Sequence, residues 1–416
     1  MRGSGTGTRL SEGHEGAWRD AVDRDVAAAV ERELADVLRG RVRDAAEVDA
    51  VFARDVAERV ADFTLRGGRR IRSRFLWWGL RACGGEDIGT GAVLRIAAGL
   101  ELIQTCALVH DDVMDGSPLR RGRPAVHTDF AARYGPLANP GPPTDPGPPA
   151  WDVGAAAPFG TAAAILVGDL ALAWADDTVA DADLAPEPRR RVREVWQAMR
   201  TEMVAGQYLD LHSQASGSRC AVRALRAACL KTAMYTVERP LALGAALAGA
   251  DEATVGGLRS AGRRAGIAFQ LRDDLLGVFG DPRRTGKPSG DDIRQGKLTY
   301  LVAVARARAE ADGDIASLAV LDNALGDRGL SEEDMDLVRA VLIDTGAKDL
   351  VDAKIDRLTV DSARRLAGVT VDPTARGQLA ALFRAAAGVG PPEASTLDRD
   401  PPHPERLLAA GRGSGR

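Results

Sequence analysis

The 416-residue sequence predicts an all-α fold. Apolar side chains recur three or four residues apart, as at Val22, Val26, Val30 and Leu34, which is the spacing of an amphipathic helix. No stretch alternates apolar and polar residues as a half-buried strand would. Alanine is frequent and only 4% of the residues are aromatic, which favours helices packed through small aliphatic side chains. We therefore expect helices throughout the chain.

The helical pattern runs from residue 17 to residue 388, and this range is predicted to form one domain. Residues 1–16 and 389–416 are rich in Gly, Pro, Arg and Ser without a hydrophobic period, so both ends are predicted to be disordered tails. Inside the domain, residues 135–160 are too dense in Pro and Gly for a regular element. They are predicted to be a surface loop insertion.

Charge and cysteine usage limit the possible partners and compartments. The net charge is −4 and the pI is about 5.9, so the chain has no overall basic field for nucleic acid or an anionic membrane. The longest apolar run, residues 161–175, is interrupted by Asp169 and is too short to cross a bilayer. The four cysteines have no Cys-x-x-Cys spacing and are read as buried free thiols. We expect a soluble, cytoplasmic protein.

A first acidic cluster follows the apolar segment 102–109 and consists of Asp111, Asp112 and Asp115. On a helix Asp111 and Asp115 share a face, where two like charges cost roughly 0.2–0.5 kcal/mol unless a cation neutralises them. Carboxylate oxygens suit Mg²⁺, which keeps several waters and often completes its shell with substrate phosphates. The cluster therefore indicates a magnesium site for a phosphorylated substrate.

A second acidic cluster, Asp273 and Asp274, precedes a Gly-rich basic turn. The turn carries Lys287 and Lys297, two of only five lysines in the chain, and a flexible loop with compact point charges could bring ammonium groups to a phosphate. Taken alone, ordinary turn chemistry explains the same residues equally well.

Two further cationic segments are weak signals by themselves. Residues 67–72, Gly-Gly-Arg-Arg-Ile-Arg, open a helix with three cations in four residues, which could offer guanidinium groups to an anion. A surface cationic turn is the commoner explanation of such a run. Lys231 and Thr232 lie in an Ala-rich helical segment, where a lysine usually extends its charge to the surface.

Taken together, these segments resemble the trans-isoprenyl diphosphate synthases of the polyprenyl synthetase family. Residues 67–72 resemble the Gly-Gly-Lys-Arg element of that family. Residues 101–115 with 120–124 resemble its first Asp-rich motif, and residues 269–274 resemble its second. Residues 166–169, 206–210 and 231–233 also match in family order, so the resemblance covers about 65–300.

The resemblance implies a role for each matching position, and the residues fall into three sets. The metal set would hold Mg²⁺ and comprises Asp111, Asp112, Asp115, Asp273 and Asp274. The second set would bind the allylic diphosphate and comprises Arg120, Lys231, Thr232, Gln270, Lys287 and Lys297. The third would bind isopentenyl diphosphate and comprises Arg69, Arg70, Arg72, Gln104 and Arg121. Asp111, Asp112, Asp115, Lys231 and Asp273 are the candidate catalytic residues among them.

Three positions depart from the family pattern. Arg69 stands where lysine is usual, which keeps the charge, and Gln104 stands where histidine is frequent, which keeps a donor and an acceptor. Gly277 stands where many members have the last aspartate of the second motif. Metal binding by the second cluster should therefore depend mainly on Asp273, with Asp274 beside it.

The implied activity is a magnesium-dependent prenyl transfer in isoprenoid biosynthesis. The allylic C–O bond would ionise, the isopentenyl double bond would attack the cation, and loss of a proton would leave a product five carbons longer. Product length should follow pocket depth, and Ala107 lies one turn before Asp111 on the same face. Since Ala107 and Cys106 are small, with Ile103 a turn deeper, we predict geranylgeranyl diphosphate (C20) or a longer all-trans product.

Other functions remain open at this point. A class I terpene cyclase also uses an Asp-rich helix with Mg²⁺, but its second metal motif of Asn/Asp, Ser/Thr and Glu is not found. A non-catalytic regulatory subunit of a prenyl synthase would lose carboxylates or lysines, whereas the first cluster keeps three carboxylates. A di-iron bundle would need Glu-x-x-His pairs, which the five histidines do not provide. The resemblance also implies a homodimer, and for the fold it implies a single-domain helical bundle around a central cavity, of the isoprenoid synthase type.

Overall fold

Helices make up nearly all regular structure in the computed structural model, which describes residues 6–134, 156–217, 220–281 and 289–389. Within those residues the only strands are Leu119–Arg120 (β1) and Arg123–Pro124 (β2). They pair antiparallel, with Leu119 opposite Pro124 and Arg120 opposite Arg123. The prediction of an all-α protein is confirmed.

Contacts divide the chain into two compact units. Among the described residues the first unit comprises 6–74, 88–134 and 156–184, and the second comprises the remainder. The single domain predicted over residues 17–388, like its central cavity, therefore stays a prediction.

The first unit carries the first acidic cluster on a long buried helix. Its helices are α1 (Thr6–Arg24), α2 (Val26–Val48), α3 (Ala50–Phe52), a π-helical turn (Ala53–Ala57), α4 (Glu58–Leu65), the start of α5 (Ile71–Ala82), α6 (Thr90–Asp115), α7 (Val126–Tyr134) and α8 (Ala156–Ala180).

Side-chain caps set several boundaries in the first unit. The carboxylate of Asp25 accepts the backbone N–H of Ala28 at the start of α2, and Asp49 accepts those of Val51 and Phe52 at the start of α3. The apolar α6 packs against α8 and α2. Most of α6 is thereby buried, and its acidic C-terminal end is held in a fixed place.

The second unit carries the second acidic cluster and the basic turn. It contains the rest of α5, then α9 (Pro186–Ala215), α10 (Ala221–Ala228), a π-helical segment (Cys229–Glu238), α11 (Arg239–Ala248), α12 (Glu252–Phe279), α13 (Asp291–Arg294), α14 (Tyr300–Asp312), α15 (Ile315–Ala324), α16 (Glu332–Asp344), α17 (Ala347–Ala367) and α18 (Pro373–Ala386).

Helix α12 is central to the core of the second unit. Leu271, Leu275 and Val278 on one face of α12 are buried against α14, α16 and α17, through residues such as Met335 and Val351. This apolar face points Asp273, two residues after Leu271, away from the core, and Asp273 is exposed. The core therefore orients the second acidic cluster.

In two segments that were predicted to be irregular, a helix begins earlier in the sequence than expected. The predicted tail 1–16 is wrong for residues 6–16, because α1 starts at Thr6 and Glu15 accepts the backbone N–H of Thr90 at the first turn of α6, 2.5 Å away. The predicted loop 135–160 is wrong for residues 156–160, where α8 has begun. The Phe159 ring packs on Phe130 and Tyr134 there, with centroids 6.3 and 5.2 Å apart.

The remaining parts of those predicted segments, residues 1–5, 135–155 and 390–416, lie outside the described residues. A third correction concerns the thiols. All four cysteines are free, as predicted, but Cys220 is exposed just before α10, and only Cys106 is fully buried. Apolar neighbours in sequence did not show that Cys220 precedes a helix on its solvent side.

In the part of the chain that the structure describes, two helices are long and apolar enough to cross a membrane by length and composition, Thr90–Asp115 and Ala157–Ala180. The prediction that no apolar segment reaches that length is wrong on this count. In the apolar window of Thr90–Asp115, 72% of the residues are buried inside the structure, as expected for a core helix, and in that of Ala157–Ala180 the share is 39%.

Candidate active site

The first acidic cluster forms the C-terminal turn of α6. Gly116 ends the helix in the left-handed region at φ 63°, where glycine has no steric penalty. The β1–β2 hairpin then returns the chain, so that Arg120 Nε donates to Asp112 Oδ1 at 2.8 Å. Both side chains are buried, and Arg120 Nη2 lies 3.7 Å from Asp111 Oδ2. The Arg120 guanidinium and the carboxylates of Asp111 and Asp112 therefore lie close together.

Charge is strongly concentrated at this helix end. Burial opposes the charge of Arg120, but the hydrogen bond with Asp112 and the charges of Asp111 and Asp115 raise its pKa. The guanidinium thus stabilises ionised aspartates at a position where the helix dipole would oppose them. Arg120 therefore acts on all three carboxylates of this cluster.

A group of arginines lies beside this cluster. Arg121 Nη1 donates to the carbonyl of Gly67 at 3.0 Å, and its guanidinium lies 5.7 Å from the centre of the Phe63 ring. Loss of solvent, followed by the like charges of Arg70 and Arg120, lowers the pKa of Arg121. Gly67 has a φ of 121°, a conformation that a side chain would strain. Like charges held together in this way are suited to an anion.

Arg70 has a different environment from its neighbours in sequence. It is 3% exposed, its Nη1 donates to Glu101 Oε2 at 3.1 Å, and its Nη2 donates to the carbonyl of Thr64 at 3.0 Å. Ser73 Oγ donates to the other oxygen of Glu101 at 2.8 Å. Protein groups therefore engage the Arg70 guanidinium, and its role as a substrate ligand stays a prediction.

The other members of the predicted isopentenyl diphosphate set are more accessible. Arg69 is exposed and Arg72 and Gln104 are half-buried. Among the described residues, Gln104 Oε1 has no hydrogen-bond partner. Since the two ends of an amide are assigned from their hydrogen bonds, the Gln104 side chain can offer either a donor or an acceptor.

The second acidic cluster has one exposed and one buried carboxylate. Asp273 is exposed, whereas Asp274 is buried and accepts a hydrogen bond from Gln270 Nε2 at 2.7 Å. Burial raises the pKa of Asp274 well above its ordinary value, and the nearby charges of Asp292, Asp273 and Asp210 add to that effect although Gln270 opposes it. This cluster therefore has an excess of negative charge.

The predicted lysines of the second unit lie beside additional aspartates. Lys231 is in the π-helical segment and donates to Asp210 Oδ2 at 3.2 Å; a side chain at Gly206 would collide with the Lys231 backbone. Lys297 Nζ lies 3.6 Å from Asp292 Oδ1. Thr232 follows Lys231 and is half-buried. Lys287 lies outside the described residues.

The sequence predicted no role for Asp210 or Asp292, although both lie in segments that match the family or carry the basic turn. Asp210 ends the Gly-Gln-Tyr-Leu-Asp segment, and Asp292 lies in the basic turn. The pairing of Asp210 with Lys231 joins α9 to the π-helical segment across 21 positions. Only tertiary packing brings such residues together, so an acidic residue near a motif was the only available signal.

The predicted chain-length residues lie on the apolar part of α6. Ile103 and Cys106 are buried and Ala107 is half-buried. Cys106 Sγ lies 3.7 Å from His110 Nδ1, and His110 Nε2 lies 3.2 Å from the carbonyl of Ile165 on α8. Burial first, and then nearby aspartates, raise the pKa of Cys106 to about 12. This part of α6 is apolar and holds a neutral thiol.

The donor types fit a magnesium ion. Within the described ranges no three His, Cys, Asp or Glu side chains stand close enough to hold an ion alone. Magnesium commonly takes one or two carboxylates and completes its shell with water and phosphate oxygens, so an incomplete carboxylate set is compatible with it. The crowded carboxylates around Asp274 also provide a local excess of negative charge for a cation to relieve.

Comparison with known proteins gives a family. The family model described as polyprenyl synthetase matches residues 54–340. A geranylgeranyl diphosphate synthase from Mycobacterium tuberculosis is 33% identical over 60% of this chain and 62% of that relative. A geranylfarnesyl diphosphate synthase from Aeropyrum pernix is 31% identical over 72% of this chain and 82% of that relative. The chain therefore spans less than two thirds of the mycobacterial relative.

A solved structure is also similar. The crystal structure of a geranylgeranyl pyrophosphate synthase from Corynebacterium glutamicum, complexed with isoprenyl diphosphate and magnesium, has a TM-score of 0.76 and 37% identity. The match covers 85% of this chain and 98% of that one. The fold is thus that of the isoprenoid synthases, as predicted. The chain belongs to the polyprenyl synthetase family, which confirms the resemblance.

Proposed function

We propose that the chain is a magnesium-dependent trans-prenyltransferase. It condenses isopentenyl diphosphate with an allylic diphosphate and releases a prenyl diphosphate five carbons longer. The observation that carries the proposal is that each unit has an acidic cluster with cations close by. Arg120 bonds Asp112 of the first cluster, and Lys231 bonds Asp210, whose charge acts on Asp274 of the second. The named relatives, which are geranylgeranyl and geranylfarnesyl diphosphate synthases, support the same activity.

The cationic residues bind the two diphosphates. Arg120, Lys231 and Lys297 are assigned to the allylic diphosphate together with Thr232, Gln270 and Lys287. Arg69, Arg72, Arg121 and Gln104 are assigned to isopentenyl diphosphate. The burial of Arg70 against Glu101 supports a change to the original assignment. Arg70 positions the turn that carries Arg69 and Arg72, and these two arginines contact isopentenyl diphosphate.

Charge stabilisation accounts for the chemistry. When bound by Asp111, Asp112, Asp115, Asp273 and Asp274, Mg²⁺ would supply positive charge to the diphosphate group. Arg120 and Lys231 stabilise the negative charge that develops on the leaving diphosphate as the allylic C–O bond breaks. The isopentenyl double bond then attacks the allylic cation, and a proton passes to the released diphosphate. No side chain needs to act as a strong base.

Product length is assigned to the small residues of α6. Cys106 and Ala107 are small side chains about one turn before Asp111, and Ile103 lies a further turn away. A growing chain of isoprene units would therefore extend past them. We assign the product as geranylgeranyl diphosphate or a longer chain, consistent with the C20 and C25 names of the relatives.

Assembly as a homodimer and a cytoplasmic location are part of the same proposal, on the grounds of the family. Helix α8 leaves Phe159, Ile165 and Leu166 exposed, and a second copy could cover this apolar surface. Sedimentation of the purified chain gives the mass directly. A monomer at micromolar concentration would contradict the homodimer and leave the prenyl-transfer assignment untouched.

A product assay tests the function. The purified protein is incubated with isopentenyl diphosphate and each allylic starter in turn, with Mg²⁺ or with excess EDTA, and the products are sized by chromatography. The proposal expects elongated prenyl diphosphates only with Mg²⁺. A cyclised hydrocarbon from the allylic diphosphate alone would indicate a terpene cyclase, and absence of any product with every starter would contradict the proposal.

A further inference from the structure

Gly277 lies one helical turn after Asp273 on α12, on the same face. Because glycine has no side chain, no group projects from the helix at this position. A methyl group built at Gly277 would be in ordinary contact, at 3.6 Å, with Oδ2 of Asp292. The Asp292 carboxylate therefore lies beside the space that a side chain at position 277 would take.

The backbone holds the Asp292 segment against this part of α12. Gly290, at φ 78°, donates its N–H to the carbonyl of Gly277 at 2.7 Å, and α13 begins at the next residue. Ser289 Oγ donates to the carbonyl of Val278 at 2.9 Å. Arg339 joins both, since its Nε donates to the Val278 carbonyl at 3.0 Å and its Nη2 donates to Ser289 Oγ at 2.8 Å.

These bonds make the position of Asp292 a built feature of the second unit. The Gly290 N–H, the Ser289 hydroxyl and the Arg339 guanidinium of α16 all donate to backbone carbonyls in the last turn of α12. Asp292 also belongs to the charges that act on buried Asp274, together with Asp273 and Asp210. Its carboxylate is partly exposed, at 39%, and its Oδ1 lies 3.6 Å from Lys297 Nζ. It is thus accessible to a ligand from solvent.

We propose that Asp292 supplies the second cluster with the carboxylate that Gly277 does not carry, and that Asp273 and Asp292 together hold the magnesium ion of the second unit. Side chains one turn apart on a helix have Cβ atoms about 5–6 Å apart, and the Asp292 carboxylate lies beside the second of these positions, with Oδ2 3.6 Å from a Cβ built at Gly277. Two carboxylates with water and phosphate oxygens are a usual set for this ion. The inference rests on the proposed function, because it assumes that the second cluster binds metal.

Metal binding provides a readout that is independent of turnover. Mn²⁺ serves as the probe for Mg²⁺, and its binding to the full chain in the presence of inorganic diphosphate is measured by calorimetry and by electron paramagnetic resonance. We expect Asp292→Asn to weaken one class of bound Mn²⁺ by about ten-fold or more, in the range seen when groups around a metal are removed. The matched control is Asp291→Asn, since the Asp291 carboxylate accepts from Gln295 Nε2 at 3.1 Å and is given no role at the metal.

A second substitution distinguishes a ligand from a residue that only holds the turn. In the Gly277→Asp/Asp292→Asn protein the carboxylate is moved to α12, and we expect Mn²⁺ affinity to recover to within about three-fold of the wild type. Unchanged Mn²⁺ binding in Asp292→Asn, an equal loss in Asp291→Asn, or a loss that Gly277→Asp does not restore would each overturn the assignment of Asp292.

Failure of this inference can be separated from failure of the proposed function. If the wild type makes prenyl diphosphates and Asp292→Asn binds Mn²⁺ normally, the inference on Asp292 is wrong and the function stands. If the Mn²⁺ results are as expected but no starter is elongated, Asp292 is a metal ligand and the prenyl-transfer assignment is wrong. Circular dichroism of each variant confirms that the helical content is unchanged.

Discussion

The two acidic clusters balance their charge in different ways. In the first, buried Asp112 is paired with buried Arg120, so a fixed guanidinium neutralises part of the charge. In the second, buried Asp274 has only the amide of Gln270 as its described hydrogen-bond donor, and its pKa is well above the ordinary value, first because of burial. The first cluster is therefore balanced by an arginine, whereas in the second cluster burial and the neighbouring aspartates disfavour the charged form of Asp274.

This difference has a consequence for metal binding. Removal of a partner from a buried ion pair leaves an uncompensated charge, which is strongly destabilising. Removal of an exposed carboxylate from a crowded group relieves repulsion instead. The first cluster should thus contribute to both stability and activity, and the second mainly to activity.

Loss of a metal-binding carboxylate from either cluster should have the largest effect. We expect Asp111→Ala and Asp273→Ala each to lower kcat/KM by roughly 10²–10³-fold or more, because stabilisation of the leaving group is lost. Product formation is measured at saturating Mg²⁺, and far-UV circular dichroism reports helical content. Near-normal rates in either variant would refute the metal role of that cluster.

Stability should separate the clusters. Asp112→Ala should lower the free energy of unfolding by about 1–3 kcal/mol, because buried Arg120 would lose its hydrogen-bonded carboxylate while Asp111 Oδ2 remains 3.7 Å away. Asp273→Ala should change it by less than about 0.5 kcal/mol, since Asp273 is exposed. Urea unfolding followed by circular dichroism gives both values. Equal losses would show that the two clusters do not differ in the way described.

Two adjacent arginines sharpen the comparison within the first unit. Arg70→Met should cost about 3–5 kcal/mol of stability, because Glu101 would remain buried without its cation. Arg69→Met should leave the melting temperature nearly unchanged and raise the KM for isopentenyl diphosphate by about ten-fold, the loss of one charge-assisted hydrogen bond. If Arg69→Met destabilised the fold and Arg70→Met did not, the two roles would be reversed.

Product length should depend on the size of the side chain at position 107 of α6. We expect Ala107→Phe to shorten the main product by one or more isoprene units, because the larger ring fills the space beside Asp111. Total turnover with a short allylic starter should be retained within about three-fold, which excludes a general loss of folding. Chromatography of dephosphorylated products measures the distribution. An unchanged product distribution would mean that other residues limit the length of the chain.

Thiol reactivity should show the smallest effect and needs no substrate. Backbone hydrogen bonds with Arg223 and Val222 lower the pKa of exposed Cys220, whereas burial raises the pKa of Cys106 to about 12. Since the thiolate is the reactive form, iodoacetamide at pH 8 should label Cys220 first and Cys106 last. Peptide mass spectrometry over time gives the order. Early labelling of Cys106 would show that α6 is less buried than described.

The sequence predicted elements and motif positions better than it predicted contacts. Helical periodicity correctly indicated an all-α chain, and the resemblance correctly indicated the family, because both depend on local patterns. Irregular segments were overestimated at residues 6–16 and 156–160, since Gly and Pro near a helix start are compatible with a helix that packs on its neighbours. The role of residues joined only by packing could not be read. Arg70 with Glu101 is one example, and Asp292 beside Gly277 is another.

The ratio of diphosphate released to isopentenyl diphosphate consumed tests the central claim most directly. In the presence of Mg²⁺, inorganic diphosphate released and isopentenyl diphosphate consumed are measured in the same reaction with an allylic starter. Prenyl transfer predicts equal amounts of both at every time, because each condensation forms one C–C bond and frees one diphosphate. Diphosphate release without consumption of isopentenyl diphosphate, or no release at all with any starter, would contradict the account.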